Sequence, residues 1–318
     1  MALQREKTNF EKVQEFNRAF DMAPKEPANY PAGKIDDSGR VEFNAYVYDR
    51  RMLLTEQPKL IRLRLDLIKE ELGELQTAIN ANDIIEIRDA LADILYVVYG
   101  MGDVLGINMD VLVSDIIKSQ IPITSSINEL FMDKLQVRIK EKEIAGKQNL
   151  TNWNWIQIYM DLFTSRFYSS LLEYKESIEN IFTIGTFKIV EKMQNIFTNI
   201  EKLCNIEDSS AISDDLLETL GENLAKLITL NYTYAYIIKI DADADFDIVH
   251  SSNMSKLCDS EEDAKATVAD YESRYKNGSS PYDSPYYYEL PEINKWIVKN
   301  KSTGKALKKI KYQKVVFN

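Results

Sequence analysis

Proline and glycine are scarce in this 318-residue chain, and that scarcity constrains the fold more than any other feature of the sequence. There are only 8 prolines and 11 glycines, and the prolines gather mostly in residues 23–40 and 276–291. Between those two segments, apolar residues recur with a helical period. Because proline and glycine mark turns and loops, the sequence predicts an all-α fold with one early loop and one late loop.

Composition narrows the class of protein. With 45% hydrophobic residues the chain can build a sizeable core, and its length allows two domains or one large one. A net charge of −11 argues against a general nucleic-acid binder and against a basic membrane-surface protein. No stretch approaches ~18 uninterrupted apolar residues, and the N-terminus does not resemble a signal peptide. Cys204 and Cys258, the only cysteines, form no evident metal or disulfide framework, so we expect a cytoplasmic location.

The stretch "IKEELGELQ" (68–76) places three glutamates on one turn of a predicted helix. The apolar residues at helical spacing, which predict one buried stripe, are Ile68, Leu72, Leu75 and Ile79. Glu71 is predicted to lie next to this stripe, with Glu74 and Glu70 progressively further round the helix. Like charges at this spacing destabilise a helix by a few tenths of a kcal/mol. The cluster is therefore either a solvated face or a site that a cation neutralises.

The following segment, residues 80–108, predicts a second helix, which begins at Asn82 or Asp83 as a cap. Its acids share one narrow stripe; they are Glu86, Asp89 and Asp93. Asp93 is the only charge in "ALADILYVVYGMG" (90–102), which is otherwise apolar all round and so predicts a buried helix. An unpaired ionised carboxylate there costs several kcal/mol. Because the preceding helix offers only glutamates, we expect a divalent cation between the two, and oxygen ligands favour Mg²⁺.

These two helices resemble the all-α nucleoside triphosphate pyrophosphatases, a superfamily that includes MazG-like proteins, dimeric dUTPase-like enzymes and phosphoribosyl-ATP pyrophosphohydrolase-like proteins. The family signature, Glu-Glu-x-x-Glu on one helix and Glu-x-x-Asp on the next, is matched by Glu70, Glu71, Glu74, Glu86 and Asp89. A second register, one turn further on, would end at Asp93 but puts Ala90 where the glutamate should be. Asp93 is then either an extra metal ligand or a residue that positions the ligands.

Three further segments resemble the phosphoribosyl-ATP pyrophosphohydrolase-like branch: "VQEFNRAFDMAP" (13–24), "DIVHSSNMSKL" (247–257) and "GKALKKIKY" (304–312). The resemblance implies that the substrate is bound by Asn253, Lys256, Lys305 and Lys308. We expect His250, the only histidine, to have a structural role. Phe16 and Phe20 share a helical face, where they either flank a base or pack in the core. "DADADFD" (241–247) lacks the central glycine of a calcium loop and predicts a turn between helices.

The chain also predicts an internal repeat, because residues 89–120 align with 222–253. The matched pairs are Leu91/Leu224, Ala92/Ala225, Tyr99/Tyr232, Ile107/Ile240 and Ser119/Ser252. Residues 64–75 align loosely with 166–177, which pairs Glu71 with Glu173 and Glu74 with Glu176. The alternative is that any two amphipathic helices align equally well.

If the repeat is real, its second copy has lost the acids of the first. Leu172 stands for Glu70, Thr219 for Glu86 and Lys226 for Asp93, whereas Asp89 is matched by Glu222. We expect Lys226 to pair with Glu173 and Glu176 in a dead site. The predicted organisation is a first MazG-like repeat (1–122), a linker (123–150), a degenerate repeat (151–257) and a C-terminal extension (258–318) that is irregular or a β-hairpin.

The resemblance implies Mg²⁺-dependent hydrolysis of an NTP or dNTP to the monophosphate and pyrophosphate, with Mn²⁺ as a substitute. Glu70 or Glu71 would orient or deprotonate the attacking water, and the metal ligands would be Glu71, Glu74, Glu86, Asp89 and Asp93. The alternatives are phosphoribosyl-ATP as the substrate and a catalytically decayed protein that binds a nucleotide or another protein. The expected partner is the nucleotide, with neither nucleic acid nor membrane, and the expected state is a monomeric pseudo-dimer or a homodimer.

Overall fold

The computed structural model describes residues 6–20, 22, 53–119, 125–144, 150–171, 178–206 and 213–317, and the predicted early loop (23–40) lies outside them. The helices are α1 (Asn9–Ala19), α2 (Leu53–Glu56), α3 (Pro58–Ala81), α4 (Ile84–Leu105), α5 (Met109–Ser119), α6 (Ser125–Ile144), α7 (Asn152–Leu171), α8 (Ile178–Cys204), α9 (Asp214–Ile237), α10 (Ala242–Met254) and α11 (Glu261–Lys276). Strands β1 (Pro285–Leu290) and β2 (Lys295–Asn300) form an antiparallel hairpin. The predicted all-α fold class is confirmed.

Helices α3 and α4 form a hairpin that buries the predicted apolar stripe of α3. Asn82 ends α3 in the left-handed conformation, with φ of 52°. Asp83 then caps α4, because its side chain accepts hydrogen bonds from the backbone N–H groups of Ile85 and Glu86 at 3.1 and 3.2 Å. The prediction that the second helix starts at a cap in this position is therefore confirmed.

Helix α4 is buried along most of its length, as its apolar sequence predicts. It ends at Gly106, which adopts a φ of 73°, and the chain then turns into α5. Gly102 lies so close to Met109 that a Cβ atom there would come within 2.3 Å of Met109 Cγ. The glycine therefore permits the close approach of α5 to the end of α4.

The chain divides into two compact units. The first unit comprises residues 1–11 and 24–246, and the second comprises residues 12–23 and 247–318, so the division falls inside α1 and inside α10. In the first unit α9 contacts α4, α5, α7 and α8, and α3 contacts α4 and α8. Asn231 on α9 donates a hydrogen bond to the carbonyl oxygen of Leu91 on α4 at 3.1 Å. The buried interior of this unit thus lies among α3, α4, α8 and α9.

The second unit packs α11 against the β-hairpin. Its core residues are Cys258, Ala264, Tyr271, Val298 and Leu307. Tyr287 on β1 pairs with Val298 on β2, and the backbone N–H of Leu307 donates to the carbonyl oxygen of Val298 at 2.8 Å. The "GKALKKIKY" segment is thereby attached to the outer side of β2.

Two local predictions from the sequence need correction. Residues 242–247 of "DADADFD" are not a connecting turn but the start of α10. Asp241 accepts a hydrogen bond from the backbone N–H of Ala244 at 3.3 Å, and acids in the first turn favour a helix start. The predicted late loop (276–291) contains strand β1. Residues 123–150 stay predicted as a linker between the repeats, and helix α6 lies within them.

The structure shows an ion pair of Lys226 that the sequence analysis did not predict. Lys226 pairs with Glu222, one turn earlier on α9, at 2.9 Å. The glutamates that were expected to pair with it, Glu173 and Glu176, lie outside the described residues. Helix α8, which packs against α9, begins only after the segment that aligned with 64–75.

Membrane-spanning potential can be assessed for the described helices. None of them alone has both the length and the apolar composition needed to cross a bilayer. The pair Ile84–Leu105 and Met109–Lys118 meets that criterion only jointly, and it is bent by 111°.

One ion pair inside the first unit is bidentate and joins a half-buried arginine to a buried carboxylate. Arg88 on α4 donates from Nε and Nη2 to the two carboxylate oxygens of Asp245 on α10 at 2.9 and 2.6 Å, and Asp245 is only 3% exposed. Removing one partner of a buried pair leaves the other charge uncompensated. By contrast, the side chains of Lys226 and Glu222 are each 46% exposed.

Asp245→Asn is therefore expected to lower the free energy of unfolding by about 3 kcal/mol. Lys226→Ala is the matched control and should cost less than about 1 kcal/mol, because exposed pairs contribute little. Urea denaturation of the two variants beside the wild type measures the difference. Equal losses would contradict this account of the two pairs.

Candidate functional site

Three of the predicted acidic residues lie on α3, beside its buried stripe. Leu72 and Leu75 face the core, Glu71 is half-buried next to them, and Glu70 and Glu74 are exposed. This is the order around the helix that the sequence predicts.

The other predicted acids lie on α4, which packs against α3. Asp89 and Asp93 are half-buried, whereas Glu86 is exposed in the first turn. The chain folds this way because Asp89 and Asp93 lie at the edge of the apolar surface that α4 buries.

Glu71 is the electrostatic centre of the site. Its Oε2 atom is buried and accepts no hydrogen bond within the described part of the chain. Burial raises the pKa of Glu71 to about 9, and repulsion from Asp93, Glu74, Glu70 and Asp89 adds to the shift. These five carboxyl groups, Glu70, Glu71, Glu74, Asp89 and Asp93, are called the acidic cluster below. A half-buried carboxyl surrounded by four others is held at an energetic cost unless a cation or a proton compensates it.

The acidic cluster suits a hard divalent cation. Carboxylate oxygens are the ligands that Mg²⁺ and Mn²⁺ take in proteins, and a cation would offset the repulsion around Glu71. Among the described residues, however, no three acidic, histidine or cysteine side chains already converge on one point at coordination distance. The residue types therefore fit a metal, and binding would require side chains of the cluster to rotate towards it.

The structure assigns Asp93 a larger contribution to the acidic cluster than the family signature did, since the signature was matched by Glu86 and Asp89. It is the first of the charged neighbours that raise the pKa of Glu71. Glu86, which the preferred register made a ligand, lies exposed at the start of α4, and its backbone N–H donates to the Asp83 cap. The sequence signal for Asp93 was its position as the single charge in an apolar helix.

Sequence reasoning missed a buried cation near this site. Arg64 lies on α3, seven residues before Glu71 and so about 10 Å along the helix axis, and is only 3% exposed. Burial lowers its pKa to about 10, while the charge of Asp103 on α4 acts in the opposite direction. Arg64 sits one helical turn before Ile68, so an arginine at a position of the apolar stripe was the available signal.

The residues expected to bind the nucleotide all lie in the second unit. Lys256 donates a hydrogen bond to Asn253 Oδ1 at 2.5 Å at the end of α10. Ser252 Oγ donates to the carbonyl oxygen of Gln313 at 2.7 Å, and Ser255 Oγ accepts from the backbone N–H of Gln313 at 2.8 Å. The "HSSNMSK" segment is thus hydrogen-bonded to the chain that follows "GKALKKIKY".

The two tail lysines that were expected to bind the nucleotide are exposed, whereas a neighbouring lysine is used in an ion pair. Lys305 and Lys308 are exposed, with Lys308 Nζ 4.8 Å from the centre of the Tyr312 ring. Lys309 instead pairs with Asp259 at 2.8 Å. The tail therefore presents Lys305 and Lys308, the two lysines expected to contact phosphate, on its surface.

The aromatic pair of α1 packs on itself. Phe16 and Phe20 are buried and stacked, with ring centroids 4.1 Å apart. The carbonyl oxygen of Phe20 accepts a hydrogen bond from Lys299 Nζ at 3.1 Å. Of the two readings of these rings, the structure shows core packing. His250 is half-buried on α10.

Comparison with known proteins shows which family the region of the acidic cluster matches. Residues 47–120, which contain α3 and α4, match the family described as phosphoribosyl-ATP pyrophosphohydrolase. The chain is also 30% identical over 302 residues to "Uncharacterized protein L479" of Acanthamoeba polyphaga mimivirus, an alignment that covers 95% of this chain and 90% of that protein. The two proteins therefore share a family along nearly their whole length. No solved structure matches the chain.

Glu71→Gln is expected to stabilise the metal-free protein at alkaline pH. The folded-state pKa of Glu71 lies above its ordinary value of 4.5, so ionising the group destabilises the fold increasingly as pH rises from 4.5 towards 9. Glutamine removes that ionisation. The gain should be near zero at pH 4.5 and on the order of 1–3 kcal/mol at pH 8, since one pKa unit corresponds to about 1.4 kcal/mol.

Thermal unfolding in excess chelator at pH 4.5 and pH 8 measures this gain. Adding Mg²⁺ should then stabilise the wild type more than the variant, because a ligand that binds the folded state stabilises it. A gain that is the same at both pH values would contradict the argument.

Proposed function

Because residues 47–120 match the family described as phosphoribosyl-ATP pyrophosphohydrolase, within the all-α nucleoside triphosphate pyrophosphatase superfamily, we propose that the chain is a Mg²⁺-dependent nucleotide pyrophosphohydrolase. The reaction would cleave an NTP or dNTP between the α and β phosphates and release pyrophosphate. The observation that supports this most directly is Glu71, half-buried among four other carboxyl groups with no hydrogen bond to Oε2 within the described chain.

The acidic cluster supplies the chemistry in this proposal. Asp89, Asp93, Glu74 and Glu71 would hold Mg²⁺, which when bound would polarise the phosphate and lower the pKa of water. Glu70 or Glu71 orients the attacking water and accepts its proton. Glu86, at the exposed start of α4, completes the family signature and is proposed as an outer ligand.

Nucleotide binding is assigned to the second unit. Lys256, held by Asn253, and the exposed Lys305 and Lys308 are the groups proposed to contact the phosphates. Because the protein carries a net charge of −11, cations are needed to bring a triphosphate to it. Both cysteines are buried and free, and we propose that the protein works in the cytoplasm.

A second candidate substrate is phosphoribosyl-ATP. It is favoured by one observation, the match of residues 47–120 to the family described by that activity. Both candidates release pyrophosphate, so a release assay across NTPs, dNTPs and phosphoribosyl-ATP with Mg²⁺ separates them. Absence of release from all of them would support the decayed, binding-only alternative.

The metal assignment is tested with Asp89→Asn. This variant is expected to lose Mg²⁺ binding and pyrophosphate release together, with the fold retained, because it removes one charge from the acidic cluster. Asp115→Asn, an exposed acid on α5 that pairs with Lys118, is the control and should behave as the wild type. Calorimetric Mg²⁺ titration and circular dichroism measure both properties, and unchanged metal affinity in Asp89→Asn would overturn the assignment.

The nucleotide assignment is tested with Lys256→Ala. Loss of a charge-assisted contact to phosphate costs about 1.5–3 kcal/mol, which corresponds to roughly ten- to a hundredfold in affinity. Mg²⁺ affinity in the absence of nucleotide should not change. Lys276→Ala, an exposed lysine at the end of α11 in the same unit, is the control. The affinity is measured by equilibrium binding of a non-hydrolysable nucleotide. If Lys256→Ala binds it as tightly as the wild type does, Lys256 has a structural role instead.

A further inference from the structure

Two starts of helices in the first unit have the same sequence pattern. Residues 8–20 read "TNFEKVQEFNRAF" and residues 151–163 read "TNWNWIQIYMDLF". Thr8 and Thr151 precede α1 and α7. Thr8 Oγ1 accepts a hydrogen bond from the backbone N–H of Glu11 at 3.1 Å, and Thr151 Oγ1 accepts one from Asn154 N–H at 3.2 Å. In both, the side chain three residues later accepts a bond in return from the threonine N–H. The two helices thus begin with the same reciprocal cap.

The asparagines that follow these threonines make equivalent buried contacts. Asn9 Nδ2 donates to Tyr232 Oη at 3.1 Å and to Asp243 Oδ1 at 2.7 Å. Asn152 Nδ2 donates to Tyr99 Oη at 3.0 Å and to Asp110 Oδ1 at 3.3 Å. Tyr99 and Tyr232 are 133 positions apart, and so are Asp110 and Asp243. Each asparagine therefore contacts a tyrosine and an aspartate of the opposite half of the unit.

The two halves meet at the tyrosines. The hydroxyl groups of Tyr99 and Tyr232 are hydrogen-bonded to each other at 3.2 Å, and both side chains are fully buried. Thr8 Oγ1 donates to Asp110 Oδ2 at 2.5 Å, and Thr151 Oγ1 donates to Asp243 Oδ2 at 2.6 Å. The network formed by these two threonines, two asparagines, two tyrosines and two aspartates is called the polar seam below. Each half contributes the same residue types and the same kinds of contact to it.

The turns that lead into the aspartates are also equivalent. Gly106 and Lys239, again 133 positions apart, both adopt positive φ, at 73° and 61°. The next residue in each case donates from its N–H to a carbonyl oxygen five residues earlier at 2.9 Å. Positive φ at a lysine is unusual, so its recurrence at this position indicates a copied backbone rather than chance likeness of two helices.

The helices that precede α4 and α9 can be matched by burial. Five of the eight buried residues of α3 form a series that recurs in α8: Leu65, Ile68, Leu72, Leu75 and Ile79 match the buried residues among the described side chains of α8, which are Val190, Met193, Phe197, Ile200 and Cys204. The spacing is identical, and both series end within two residues of the end of the helix. Helix α8 is therefore the counterpart of α3 in the second copy of the repeat.

This match shows what the second copy has in place of the acids. Glu70, Glu71 and Glu74 correspond to Asn195, Ile196 and Asn199. These three have the same exposure as their counterparts: Ile196 is half-buried, and both asparagines are exposed. On α9 the counterparts of Asp89 and Asp93 are Glu222 and Lys226, which pair with each other.

We infer that the first unit consists of two fused copies of one helical repeat joined through the polar seam, and that the second copy serves as the partner of the first and carries no metal site. The statement about the metal rests on the proposed function; the statement about the fused copies does not. The second copy stabilises α4, which carries Asp89 and Asp93, by holding Tyr99.

Some equivalent positions of the two copies carry different residues but still contact each other in both halves. Arg88 and Asp245 form the bidentate ion pair of the first unit, and their counterparts at 133 positions are Gly221 and Leu112. Gly221 lies against Leu112, since a Cβ atom at Gly221 would come within 3.1 Å of Leu112 Cδ2. Equivalent positions thus touch in both halves, although the chemistry of the contact differs.

Matched substitutions test the fused repeat without any metal or substrate. Tyr99→Phe and Tyr232→Phe each remove one hydroxyl from the polar seam and should lower the melting temperature equally, by about 2–4 °C. The double variant should lose less than the sum, because the bond between the two hydroxyls is lost only once. The inference would be overturned if Tyr232→Phe left the melting temperature unchanged while Tyr99→Phe lowered it. Strictly additive losses in the double variant would also overturn it.

The metal statement is tested with the counterpart acids. Mn²⁺ titration followed by electron paramagnetic resonance should show that Asp89→Asn loses bound Mn²⁺, whereas Glu222→Gln keeps the same number of ions per chain as the wild type. Loss of ions in Glu222→Gln would mean that the second copy also binds metal and would overturn the inference. If the wild type binds no Mn²⁺, the proposed function fails, and the tyrosine variants still decide on the fused repeat.

Discussion

The hydrogen bond between the buried hydroxyls of Tyr99 and Tyr232 is the contact on which the first unit depends. Neither hydroxyl can reach water, so each must find partners inside the protein. Asn152 donates to one and Asn9 to the other, and each asparagine also donates to an aspartate. These requirements fix α4 and α9 against each other and against the starts of α1 and α7. Since α4 carries Asp89 and Asp93, the same contacts position two of the five carboxyl groups of the acidic cluster.

The acidic cluster and the polar seam differ in their electrostatics. In the polar seam, buried donors and acceptors satisfy each other, which makes that part of the unit specific and rigid. In the acidic cluster five carboxyl groups lie close together, and Glu71 has a raised pKa and an Oε2 atom that accepts no hydrogen bond from the described chain. Proteins hold such unfavourable groupings chiefly where they function. The proposed function, in which a cation binds the acidic cluster, draws on that contrast.

Much of the first unit was predictable from the sequence. The helical period of α3, the cap at Asp83 and the apolar α4 all follow from local rules that act within one or two turns. The acids of α3 and α4 were identified because charges beside an apolar stripe conflict with burial. The polar seam was not predicted, although "TNF" and "TNW" mark it in the sequence, because two short polar motifs 143 positions apart carry no period. Asp243 lay in a segment interpreted as a turn, and only its contact with Asn9 shows its role.

The sequence by itself determined that α3 and α4 form, which of their faces are apolar, and that the six acids of the predicted site lie on these two consecutive helices. Those properties depend on residues close together along the chain. Only the tertiary structure decided that Asp93 is the foremost charged neighbour of Glu71, that Lys226 pairs with Glu222, and that α8 is the counterpart of α3. The physical reason is that these outcomes depend on how helices pack in space. Several packings are compatible with one helical pattern, and the buried hydrogen bonds between distant residues select among them.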